Sequence, residues 1–143
     1  MNTKDSKSAM NFGNSIMKAY ANDDCGTVFS ALAANIISME SSQSFNKADI
    51  PQADFCTEKA FRSDMTIDYS MYTNNYTQKV MTATQVQAAY PKLYAAVGMQ
   101  EGDFYFNGAQ KKSASSESLF RASDMAVFVI RKGSNGQWQI IAM

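Results

Sequence analysis

The stretch "MAVFVIRKGSNGQWQIIAM", residues 125–143, carries the first reading of the fold. Val127, Phe128, Val129 and Ile130 make a β-branched and aromatic run, and Trp138, Ile140 and Ile141 make a second. Between them Gly133-Ser134-Asn135-Gly136 supplies residues that accept positive φ, so the two runs read as a hairpin of 125–131 with 137–143. Both runs are apolar at successive positions, which describes strands buried on both faces. A strand held in mid-sheet also explains how a chain can finish inside a strand with no tail.

Upstream the signals are mostly helical. From Ser8, apolar Met10, Phe12, Ile16, Met17 and Tyr20 recur at steps of three and four, one face of an amphipathic helix. "ANDDC" (21–25) interrupts it with short acceptor side chains that end one helix and cap the next. The second helix is expected over 24–34, with Val28, Phe29, Leu32 and Ala33 inward, and "NIISME" (35–40) as a short strand. Residues 41–49 read as a loop. Residues 50–63 read as a helix with Asp49 as cap and Pro51 in its first turn, and residues 65–81 as strand or irregular. "TQVQAAYPKLYAAVG" (84–98) predicts a helix with Thr84 and Gln87 as a capping box, Gly98 as its stop and a kink or restart at Pro91. "DFYF" (103–106) is a strand, and 111–118 a polar linker.

Helices early, strands late and one helix between argue an α+β fold in which helices pack on one face of an antiparallel sheet. The other face then closes a cavity or a subunit interface.

Composition narrows the function. At 143 residues the chain is the size of one domain. Thirteen basic residues balance thirteen acidic ones, so no global field favours nucleic acid. No apolar run is long enough to span a membrane. The absence of histidine removes the commonest general base and metal ligand, and makes a Ser-His-Asp triad impossible. No metal site, cofactor motif or phosphate-binding loop is present. Neutral Ser, Thr, Asn and Gln make up about 30% of the chain, and charged residues only 18%. That balance leans toward an exported or periplasmic mature domain over a cytoplasmic one, although "MNTKDSKSAM" contains no signal-peptide apolar core. Cys25 and Cys56 either form a bridge, worth roughly 3 kcal/mol, or are two small buried thiols.

Three stretches give the chain a likeness. "IMKAYANDDCGTVFSALAANIISME", "TATQVQAAYPKLYAAVG" and the closing hairpin with its Gly-Gln-Trp turn resemble the NTF2-like superfamily, the cone-shaped cystatin-like α+β fold of ketosteroid isomerases and SnoaL-type cyclases. The resemblance implies N-terminal helices packed on a curved antiparallel sheet, with residues 41–83 as an atypical insertion. In the isomerase branch a carboxylate near the end of the first strand is the base, and a Tyr with a protonated Asp forms the oxyanion hole. Glu40 takes the base position, but Phe128 stands near the place of the Asp and cannot donate. Tyr20 lies off the spacing of the donor Tyr. A solvated strand-end carboxylate accounts for Glu40 as simply, and no catalytic residue is assigned.

Phe12, Tyr20, Tyr90, Tyr94, Phe104, Phe106, Phe128 and Trp138 are candidates to line an apolar pocket, or else belong to the core. The resulting expectation is a non-enzymatic NTF2-like module. It binds a small apolar ligand, or pairs with itself as a homodimer or with a partner, through its cavity or sheet face. The alternative is a SnoaL- or ketosteroid-isomerase-type lyase or isomerase with a carboxylate base.

Overall fold

The computed structural model describes residues 3–22, 24–39, 41–57, 76–110 and 128–143. Its elements run α1 (Thr3–Ala21), α2 (Cys25–Ala31), β1 (Leu32–Ile37), β2 (Ser44–Asn46), a 3-10 turn (Lys47–Asp49), α3 (Gln52–Thr57), β3 (Tyr76–Thr82), α4 (Ala83–Ala89), α5 (Pro91–Val97), β4 (Phe104–Gln110), β5 (Phe128–Lys132) and β6 (Trp138–Ala142). The fold is mixed α+β. The strands form one sheet in the order β2-β1-β6-β5-β4-β3. The sheet is mixed rather than antiparallel throughout, because β1 runs parallel to β6.

The closing hairpin forms, with Ile130 opposite Ile140 and Lys132 opposite Trp138. A register shift between Val129 and Ile130 lets the strands coil. The last residues lie against β1: Met143 N–H donates to the Ile37 carbonyl at 3.1 Å, and Met39 N–H to the Met143 carbonyl at 3.0 Å.

Alternation along the strands builds two cores on opposite faces. On one face Leu32, Ile36, Phe104, Phe106, Phe128, Ile130 and Ile140 meet Ile16 and Met17 of α1 and Val28 of α2. On the other, Met81, Tyr105, Val129 and Ile141 meet Val86, Leu93 and Val97 of α4 and α5. The expectation of helices on one face is therefore corrected. The Pro91-broken helix crosses to the far side of the sheet from α1, and its apolar stripe covers the face expected to be open. On the first face α1 already packs against β3 and β4, and α4 and α5 pack on the other.

Gly13 shows how closely α1 sits there. A Cβ at this position would overlap the Phe106 ring, so only glycine permits the approach. α1 also starts earlier than its apolar spacing indicates, at Thr3 instead of Ser8. Asp5 in the first turn favours the helix dipole. Trp138 Nε1 donates to Ser8 Oγ at 2.9 Å, and Lys132 Nζ to Asp5 Oδ1 at 3.3 Å. These contacts to the closing hairpin hold residues that are too polar to bury.

Other boundaries move for local reasons. The α2-to-β1 switch falls at Leu32, three residues before the expected strand, because pairing with β6 recruits "LAA" from a good helix-forming run. The capping box is Thr82 with Gln85, not Thr84 with Gln87. Gln85 N–H donates to Thr82 Oγ1 at 3.2 Å and Thr82 N–H donates to Gln85 Oε1 at 2.9 Å. The restart expected at Pro91 is there: Tyr90, at φ −137° and ψ 66°, leaves the helix, and Pro91 begins α5. Gly98 closes α5 in the left-handed region at φ 68°. Residues 44–49, expected as loop, form the edge strand β2 and the 3-10 turn. The expected linker at 111–118 and residues 58–75 of the 41–83 segment lie outside the described residues; the end of that segment forms β3. Among the described residues no helix is long and apolar enough to cross a membrane.

Candidate functional site

The expected pocket residues fall on two sides of the sheet. Phe104 and Phe128 are 5% and 1% exposed in the α1-side core, where Phe128 stacks on Phe106 with ring centroids 5.0 Å apart. Phe12 and Trp138 pack at the margin of that core. Trp138 meets Phe104 edge-on at 5.7 Å, under the Lys132 ammonium. Tyr90 and Tyr94 pack against the opposite core, Tyr90 edge-on to Tyr105 at 6.4 Å. Tyr20 lies on α1, with its side chain outside the described residues, as is Glu40 altogether. Strand alternation and the far-side docking of α4 and α5 keep these aromatics from converging on one cavity.

The structure instead opens a cleft of about 490 Å³ at the β2 edge, lined by Phe29, Ala34, Asn46, Lys47, Ala48, Ile50 and Gln52. None of the expected pocket aromatics with described side chains lines it. α2 supplies one wall through Phe29. β1 supplies the floor through Ala34, which shares the face of Leu32 and Ile36 by its two-residue spacing from each. The 3-10 turn and the start of α3 supply the other wall. The cleft is open to solvent, with Ala34, Asn46, Ala48 and Gln52 of its lining exposed and Phe29, Lys47 and Ile50 half-buried.

Local chemistry sets each wall. Asp24 caps α2, accepting from Thr27 N–H at 3.3 Å and from Thr27 Oγ1 at 2.6 Å. Asn46 Oδ1 accepts from Ala48 N–H at 3.0 Å and starts the 3-10 turn. The Cys25–Cys56 disulfide joins α2 to α3, with Cα atoms 5.6 Å apart. Beside it, Phe55 meets Phe29 edge-on at 5.4 Å. Lys47 Nζ donates to the Leu32 carbonyl at 3.1 Å and lies 5.0 Å from the Phe29 ring centroid. Next to the cleft Phe45, opposite Ile36 on the edge strand, is 45% exposed. It is the one large apolar side chain among the described residues with that much exposure.

The strongest electrostatic feature lies elsewhere. Asp103 is 1% exposed and receives Arg131 bidentately, Nε to Oδ1 at 2.8 Å and Nη2 to Oδ2 at 2.7 Å. Gln100 N–H also donates to Asp103 Oδ2, at 2.8 Å. The hydrogen bond to Asp103 holds the Arg131 guanidinium above its ordinary pKa. Buried and bonded to three donors, Asp103 ties the turn after α5 to β5. Among the described residues no group of three or more His, Cys, Asp or Glu side chains could hold a metal ion.

Sequence reading missed both features. Phe45, Lys47 and Ile50 lie in a segment too short for periodicity to show, and Asp103 gains its meaning from Arg131, 28 residues away. Compared with protein-family models, with curated proteins and with solved structures, the chain finds no match.

Proposed function

We propose that this chain is a non-enzymatic binding module of the NTF2-like kind, and that it takes a small, largely apolar ligand in the cleft between α2, the β1–β2 edge and α3. The NTF2-like assignment is supported by the helix pair leading into β1, by the parallel pairing of β1 with the last strand, and by the closing hairpin. The binding reading rests above all on the cleft. Among the described residues its walls combine Phe29, Ala34, Ala48 and Ile50 with a few polar groups and no carboxylate. Such a lining suits capture of an apolar group and offers no general base. The ligand is placed in the cleft rather than on a sheet face because helices cover both faces of the central strands.

Amide chemical-shift mapping with the neutral aromatic N-phenylnaphthylamine tests this. The expected result is saturable shifts at Phe29, Ala34, Lys47 and Ile50, abolished by Ala34→Phe, which fills the floor. Shifts scattered over the surface, or a response insensitive to Ala34→Phe, would overturn the reading.

A further inference from the structure

We infer that the ligand of this cleft is an amphipathic monoanion, an aromatic or aliphatic body bearing one carboxylate or sulfonate, and that Lys47 recognises its charge. The inference rests on the cleft reading above and adds the chemical class of the ligand.

Among the described residues Lys47 is the one charged side chain of the lining. It is half-buried, and among the described residues no carboxylate forms an ion pair with it. Its position is nevertheless defined. One ammonium N–H goes to the Leu32 carbonyl, and the Phe29 ring face attracts the cation from a second side. An ammonium has three donors, so one remains for a ligand. A half-buried ammonium held in place beside apolar side chains is positioned to pair with an anionic group by a charge-assisted hydrogen bond. Its apolar body then lies along Phe29, Ala34 and Ile50. Asn46 is already engaged with Ala48 N–H, which leaves the exposed Gln52 amide as the neutral polar group at the rim. A single lysine with no arginine beside it matches one negative charge and not a phosphate cluster.

The test compares two fluorescent probes of closely similar aromatic body, anionic anilinonaphthalenesulfonate and neutral N-phenylnaphthylamine, on the wild-type protein. The anion is expected to bind about tenfold more tightly, with an advantage that shrinks as salt is raised. Lys47→Met keeps the apolar stem and should erase the advantage, while Lys47→Arg should keep most of it. Thermal melts of both variants establish that they fold, and the wild-type probe contrast stands independently of either. Equal affinities for the two probes, or an advantage that survives Lys47→Met, would overturn the charge inference and leave the cleft reading intact. If Ala34→Phe leaves both probes bound as before, the cleft reading itself fails.

Discussion

Removing the Cys25–Cys56 bridge probes how the cleft is held together. The bond closes a loop with a sequence separation of 31 residues, which contains α2, β1, β2 and the 3-10 turn. In the chain-entropy relation a loop of that length contributes about 3.7 kcal/mol at room temperature. Unfolding entropy of roughly 2.1 cal/mol/K per residue over 143 residues then predicts a loss of about 12 °C in Tm for the Cys25→Ser/Cys56→Ser double variant. The effect should also be local. α3 is six residues long, too short to persist as a helix unaided. Only Phe55 and Cys56, both half-buried, turn toward the body among its residues with described exposure. Calorimetry of the oxidised wild type against the double variant measures the first effect, and hydrogen exchange across residues 47–57 the second. A Tm change under about 2 °C, with protection of 47–57 unchanged, would show that packing at Phe29 and Phe55 alone holds the wall and refute the argument.

Three further outcomes follow from the core and its charges. Gly13→Ala should destabilise the fold, because about 1–3 kcal/mol of overpacking against the Phe106 ring exceeds the helix-propensity gain of about 1 kcal/mol; a variant that melts higher would contradict the close approach. Asp103→Ala strands the Gln100 N–H and deprives Arg131 of its bidentate partner, and should cost about 3 kcal/mol by urea denaturation; a change below about 0.5 kcal/mol would mean that water replaces the carboxylate freely. Burial pushes the Tyr90 hydroxyl above its ordinary pKa, so above about pH 10 the unfolded chain loses this proton first and stability falls as pH rises through the folded value. Stability measured against pH should fall less steeply there in Tyr90→Phe, and an identical profile would remove Tyr90 as a cause.

Much of the framework was legible locally. The α+β class, the closing hairpin, the Pro91 break and the Gly98 stop follow from residues a few positions apart, since turn chemistry, capping and helix breaking act over that range. Neighbour chemistry also places a Thr-x-x-Gln capping box before the fourth helix, yet two overlapping pairs, Thr82/Gln85 and Thr84/Gln87, fit the rule. Where β3 ends selects the first. The seven candidate pocket aromatics with described side chains are buried or half-buried, but burial has the same signature in one pocket as in two separate cores.

What the residues dictate along the chain is therefore which segments form helices or strands and which side chains leave water. The side of the sheet taken by α4 and α5, the parallel pairing that draws Leu32 into β1, and the meeting of Phe29, Lys47 and Ile50 at one edge arise only when distant segments pack. Hydrophobic burial rewards contact without specifying the partner. The choice is made by close fits such as Gly13 against Phe106, and by pairs such as Asp103 with Arg131, whose members are far apart until the sheet brings them together.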